Sequence, residues 1–279
     1  MSDVYEELVR LRRQGRKCAL ATIVQAQGSI PSYPAAKMLV REDGSILGTI
    51  GGGCVEAEVR HAAREVLESE TPRYLTFKLD MDAAYESGLI CGGQLDVYIE
   101  PIVPQPRAII FGAGHIASSL SKIATLAGFA TVIVDDRESF ASRERFPEAF
   151  QVYAEAYETA IEKLQVDANC YLVIATRGHR DDMRVLRLAL GTPARYIAMI
   201  GSQRKVTAIV EQLSQAGVPA GALERLYAPM GLDIGAVTPE EIAVSVVAEM
   251  IAVRRRAPSP WRNLSKSLFV KEDASTLLK

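Results

Sequence analysis

The sequence predicts an α/β protein, in which a small N-terminal α+β domain precedes a Rossmann-like domain with a doubly wound parallel sheet. Three observations carry this. Beyond residue 106 short apolar runs alternate with helical patterns, as parallel strands joined by crossover helices require. Before residue 101 short strand patterns and a hairpin turn surround one amphipathic helix. Between them Pro101-Ile102-Val103-Pro104-Gln105-Pro106 disfavours helix and removes ladder donors, so it reads as a stiff linker. The expected division is therefore residues 1–100 for the first domain, 101–106 for the linker, 107–256 for the second domain and 257–279 for a tail.

Each element follows from its local pattern. Val4, Leu8 and Leu11 share one face of a helix over residues 3–15, with Arg10, Arg12, Arg13 and Arg16 mostly elsewhere as a solvated basic face. Cys18–Val24, Ala36–Arg41 and Ser45–Ile50 read as strands, the last two joined by the turn Glu42-Asp43-Gly44. Val55, Val59, Ala62, Val66 and Leu67 recur at helical spacing up to about Ser69, and strands at Arg73–Leu79 and Gln94–Glu100 close the unit. In the second domain the strands are Arg107–Phe111, Ala130–Val134, Tyr171–Ala175 and Tyr196–Ile200. Thr238-Pro239-Glu240-Glu241 is a capping box with proline at its first helical position.

Composition narrows the function classes. With 279 residues, 48% of them hydrophobic and 24% charged, the chain has apolar material for a real core, which excludes disorder as its main state. A net charge of -2 gives no basic field for nucleic acid or an anionic membrane. No apolar stretch approaches the ~18 residues of a spanning helix, and acids stand where a signal peptide has basic residues, so a cytoplasmic protein is expected. Cys18, Cys54, Cys91 and Cys170 form no CxxC, which argues against a zinc knuckle or a disulfide framework.

Two kinds of glycine turn carry candidate chemistry. Ala108-Ile109-Ile110-Phe111 runs into Gly112-Ala113-Gly114-His115-Ile116-Ala117 and then a helix, the dinucleotide fingerprint in its strand-turn-helix setting. Gly112 permits the turn, Gly114 lets backbone approach a phosphate, and Asp135 at the end of the next strand is placed to accept from a ribose hydroxyl. Asp136 follows it, and His115 faces the crevice. Further loops at strand ends add Arg177 and His179, then Ser202, Arg204 and Lys205 as an anion grip, then Asp233 in Pro229–Ala236. In the first domain Cys54 follows Gly51-Gly52-Gly53 at a helix start, where bare N–H groups attract anions. Cys91 lies in Gly88-Leu89-Ile90-Cys91-Gly92-Gly93, whose glycines leave the sulfur approachable. Cys18 and Cys170 read as packing residues.

Taken together, these segments resemble the XdhC/CoxI family, the xanthine dehydrogenase accessory factors, up to about residue 255. The matching stretches are Gly28–Pro31, Ala36–Val40, Gly48–Glu56 and Ile90–Gly93, then Phe111–His115, Val134–Arg137, Thr176–His179, Gly201-Ser202, Arg204-Lys205 and Gly231–Ala243. Ser32 and Ala35 depart from the arginine and glycine usual in the family, which argues against this loop gripping a phosphate and leaves open a subfamily with a different client. The resemblance implies a maturation factor that binds the molybdenum cofactor, as molybdopterin or its nucleotide form, helps install its terminal sulfido ligand and delivers it to a molybdenum hydroxylase. It implies as partners that apoenzyme and a cysteine desulfurase, and a homodimer as the assembly. It places a cysteine at Cys91, expected to be the thiol that meets molybdenum, with Cys54 as the second candidate.

Two other functions compete. An NAD(P)-dependent oxidoreductase would use the Gly112 elbow with His115 or His179 for proton transfer, but the second domain has no Tyr-x-x-x-Lys pair. A pure assembly scaffold would bind its client with no small ligand.

Overall fold

In a computed structural model, residues 3–28, 33–79, 93–258 and Ser265 are described. They form two units, Met1–Pro104 and Gln105–Lys279. In unit 1, α1 (Val4–Arg13) starts at Asp3, whose side chain forms a capping box with Glu6. Strands β1 (Cys18–Gly28), β2 (Lys37–Arg41), β3 (Ile46–Gly48), β4 (Arg73–Leu79) and β5 (Gly93–Ile102) make one antiparallel sheet in the order β3-β2-β1-β5-β4. Helix α2 (Gly53–Ser69) lays Val55, Val59, Ala62, Ala63 and Val66 on one face of that sheet, against Ala19, Ala21, Met38, Val40, Val97 and Ile99. The period-2 alternation of the strands and the helical spacing of α2 supply both surfaces of this core.

Two boundaries move for tertiary reasons. β1 runs past Val24 to Gly28 because β5 continues to pair with it across an irregularity between Ile23 and Gln25. β5 in turn takes in Pro101 and Ile102, the first residues of the expected linker, which pair with Ala19 and Cys18. Pro101 sits where β4 has already stopped pairing, at Ile99, a half-edge position that proline tolerates.

Unit 2 is a six-stranded parallel sheet, built from β6 (Arg107–Phe111), β7 (Ala130–Asp135), β8 (Gln151–Ala154), β9 (Cys170–Ile174), β10 (Tyr196–Met199) and β11 (Leu226–Tyr227) in the order β11-β10-β9-β6-β7-β8. Two of these, β8 and β11, carry no pattern that singles them out in the sequence; they are edge strands of four and two residues. Helices α3 (His115–Leu126) and α8 (Pro239–Arg254) cover one face, and α4 (Tyr157–Leu164), α5 (His179–Leu190) and α6 (Gln203–Gln215) cover the other, with the short α7 (Ala220–Leu223) beside them. Buried on both sides, β6, β9 and β10 read as continuous apolar runs. From the expected tail, Ser265 bridges to Leu232. Among the described residues no helix is long and apolar enough to cross a membrane.

Candidate functional site

Each unit carries one of the glycine turns, and the two are built differently. In unit 1 the three glycines that lead into α2, the last of them its first residue, have φ of +122° at Gly51, +79° at Gly52 and +65° at Gly53, a run that L side chains avoid. The donors ahead of the helix are taken. Glu56 reaches back from the first turn of α2, and its Oε1 accepts from the N–H of Ile50 at 3.2 Å, the N–H of Gly52 at 3.0 Å and the Thr49 hydroxyl. Gly51 donates to Thr49 Oγ1 at 3.2 Å. The expectation of free N–H groups is narrowed to the first residues of α2: a carboxylate one helical turn downstream takes the donors of Ile50 and Gly52, where the helix dipole favours it, while the N-cap of α2 makes no side-chain hydrogen bond. Cys54 is exposed in this first turn. Cys91 lies outside the described residues. Cys18 and Cys170 are fully buried, and burial pushes each thiol up to about 11, as befits packing residues.

In unit 2 the chain winds outward from β6 through β7 to β8, then returns to β9 on the other side of β6. The ends of β6 and β9 therefore flank a topological switch point, the crevice in which ligands of such sheets bind. Gly112 ends β6 with φ +104°, and a Cβ there would stand 2.2 Å from the carbonyl oxygen of Ala175. Only glycine lets these strand ends approach so closely. Gly114 has a different role: it caps α3 with an ordinary φ of -79°, and a Cβ on it would meet nothing within 4 Å. Gly178 caps α5 with the same open space. Neither helix start has a side-chain cap, whereas Ser202 caps α6 and Thr238 caps α8. No side-chain cap takes the backbone donors of α3 and α5, the kind of helix start at which anions bind.

The side chains around this crevice are not disposed as the fingerprint suggests. Asp135 is fully buried. Its Oδ2 accepts from the Ala113 N–H at 2.9 Å and from Arg137 Nη2 at 2.8 Å, and its Oδ1 accepts from the Arg137 N–H at 3.0 Å and Nε at 2.8 Å. Burial raises its pKa, but Arg137 and the backbone donors outweigh this, and the carboxyl is held below its ordinary value. The exposed acid is Asp136, which pairs with Arg177 at 2.9 Å; Arg177 also holds Asp181 at 3.1 Å. His115 and His179, the first residues of α3 and α5, are both exposed.

The expected anion grip after β10 is also corrected. Ser202 is used as a helix cap, its hydroxyl accepting from the Lys205 N–H at 3.3 Å. The Lys205 ammonium turns inward to Asp182, a fully buried carboxylate that also accepts from the Thr176 N–H at 3.1 Å and hydroxyl at 2.6 Å. A buried charge must be paired, and Lys205 is the nearby cation that does so. Arg204 and Asp233 stay exposed. The sequence reading placed Asp182 only as the end of the polar loop Thr176–Asp182 after β9, and it missed Glu249. Both had a signal: each shares a helical face with apolar residues, Asp182 with Val185, Leu186 and Ala189, and Glu249 with Ile242, Val246 and Val253. Glu249 accepts from the Tyr196 hydroxyl at 2.6 Å, the Gly231 N–H at 2.9 Å and Ser265, and so fastens the Pro229–Ala236 loop. Among the described residues no group of three or more His, Cys, Asp or Glu side chains is arranged to hold a metal ion.

Comparison with known proteins covers both units. Residues 11–78 match the XdhC and CoxI family, and residues 108–250 match the XdhC Rossmann domain. YqeB of Escherichia coli (strain K12) is 35% identical over 92% of this chain and 47% of its own length, so the chain spans about half of that relative. A probable xanthine dehydrogenase subunit of Bacillus subtilis (strain 168) is 25% identical, over 92% of this chain and 99% of that protein. The molybdenum cofactor insertion chaperone PaoD of Escherichia coli (strain K12) is 24% identical, over 86% and 84%. A solved xanthine dehydrogenase from Bacillus halodurans superposes with a TM-score of 0.51 at 25% identity, covering 95% of this chain and 100% of that one.

Proposed function

We propose that this chain, which belongs to the XdhC and CoxI family, is an accessory factor that binds the molybdenum cofactor, assists its sulfuration and delivers it to a xanthine dehydrogenase-type molybdenum hydroxylase. The observation that carries the reading is the unit 2 crevice, with two glycine-capped, otherwise uncapped helix starts, at Gly114 and Gly178, beside a switch point. Molybdopterin bears a phosphate, or a nucleotide in its extended form, and backbone donors at a helix start are suited to that group. The name of the relative PaoD supports cofactor insertion as the task. Taken by itself, unit 1 carries Cys91 as the favoured thiol and the exposed Cys54 as the second, and a thiolate is a suitable soft ligand for molybdenum. When bound, the molybdenum centre would supply the site of the oxo-for-sulfido exchange, and the thiols of unit 1 would be its soft ligands.

A cysteine desulfurase as sulfur source, the hydroxylase apoenzyme as client, a homodimeric assembly and a cytoplasmic location belong to the same proposal. NAD(P)-dependent oxidation is the weaker reading, because the acid assigned to the ribose is sealed by Arg137. The test is to purify the chain from a molybdenum-replete host, measure molybdenum and oxidised pterin fluorescence, and assay activation of an apo-hydroxylase. Stoichiometric cofactor and activation are expected. Nicotinamide turnover with no molybdenum retained would reverse the assignment.

A further inference from the structure

We infer that Arg137 is a specificity residue: it seals the Asp135 carboxylate and so closes the ribose subsite of the unit 2 crevice to adenine dinucleotides. The inference rests on the reading that the elbow takes a phosphate. In doubly wound sheets the acid ending the second strand accepts from ribose hydroxyls. Asp135 has that position, as the last residue of β7 beside the elbow. A carboxylate offers about four acceptor sites, and four donors already meet them: the N–H groups of Ala113 and Arg137 and two nitrogens of the Arg137 guanidinium. The Asp135 side chain is left 1% exposed.

The seal is braced from outside. The Arg137 guanidinium lies 3.7 Å from the Phe140 ring centroid, and Arg145 stands over the same ring at 4.7 Å. This geometry is preorganised, unlike that of a side chain swinging in solvent. Arg137 is also a poor receptor for the 2′-phosphate of NADP. Asp135 neutralises it and occupies two of its guanidinium nitrogens, Nε and Nη2. The crevice therefore discriminates against both nicotinamide dinucleotides, while the backbone donors of the elbow stay available to a phosphate ligand that needs no ribose contact at β7.

The test uses the full chain and two probes, NADH and inorganic pyrophosphate, titrated by calorimetry into the unmodified protein, Arg137→Ala and Arg137→Met. The methionine variant keeps an apolar stem against Phe140 should the alanine variant fail to fold. Pyrophosphate should bind the unmodified protein, and NADH should bind it no tighter than pyrophosphate does. Freeing Asp135 should strengthen NADH binding by about tenfold or more, the worth of a hydrogen bond to a charged acceptor. Asp135→Asn in the Arg137→Met background should remove the gain. Loss of a cation by itself weakens anion binding, so a gain cannot arise from charge. If the variants gain NADH binding but pyrophosphate never binds, the seal stands and the phosphate reading falls. If the unmodified protein binds NADH tenfold tighter than pyrophosphate, or neither folded variant gains, the seal is wrong.

Discussion

Gly112 and Gly114 stand two residues apart in one elbow, and the structure assigns them opposite sensitivities. Gly112→Ala forces a side chain into φ +104°, and its Cβ would come within 2.2 Å of the Ala175 carbonyl oxygen and 2.7 Å of its carbon. Both contacts are to backbone, so no side chain can rotate away; one strand end must move. Backbone strain of about 1–3 kcal/mol and overpacking of about 1–3 kcal/mol together give a destabilisation of roughly 2–6 kcal/mol. Gly114→Ala meets nothing within 4 Å and keeps an allowed φ. Exchanging glycine for alanine at an N-cap costs only about 0.5–1 kcal/mol, yet its methyl stands where a phosphate would approach the α3 donors. Urea unfolding followed by far-UV circular dichroism measures the first effect, and pyrophosphate calorimetry measures the second. Gly112→Ala should unfold at much lower urea, while Gly114→Ala should stay near the parent stability and lose affinity. A Gly112→Ala protein within 0.5 kcal/mol of the parent, a threshold set by the usual scatter of neutral substitutions, would refute the steric argument. A Gly114→Ala protein with undiminished affinity would refute the role of the open helix start.

Other outcomes follow from particular contacts. Asp182→Ala leaves the Thr176 N–H and the Lys205 ammonium without their buried acceptor and should cost about 2–4 kcal/mol; adding Lys205→Met should recover part of the loss in the same urea assay, and no recovery would mean the pair is not coupled. The Arg10 guanidinium, then that of Arg41, hold the Glu7 carboxyl down to about 2 from 4.5. A depressed folded-state pKa gives stability that is fully present above pH 4.5 and is lost as pH falls through about 2. The stability gap between the parent and Glu7→Gln should therefore close across that window, and a gap independent of pH would contradict it. Cys91→Ala should lower molybdenum retention and client activation together, with Cys54→Ala the milder variant; the reverse order in metal analysis and hydroxylase assay would exchange the two assignments.

Local chemistry made much of this protein legible from sequence. The apolar strands β6, β9 and β10 declare themselves because both sides are buried, and α2 because its inward residues recur at helical spacing. The elbow is legible because strand, glycine turn and helix are contiguous, and the capping box at Thr238 because all its groups lie within four residues. Tertiary structure decided the rest. β8 and β11 exist only because a longer neighbour offers them a ladder, so nothing in four or two residues announces them. Which acids and cations remain available for a ligand is likewise not a local property. Asp135 is placed as a ribose acceptor by its position and removed from that role by the fold of Arg137 back over it, with Phe140 behind. Lys205 follows a strand end as a ligand grip would, yet the buried Asp182, 23 residues away in the chain, claims its charge. Gly51, Gly52 and Gly53 make an anion-shaped turn, and Glu56 occupies it. In each case spacing determines where a group can stand, while burial and the nearest opposite charge determine whether it is free, and only the folded chain brings those neighbours together.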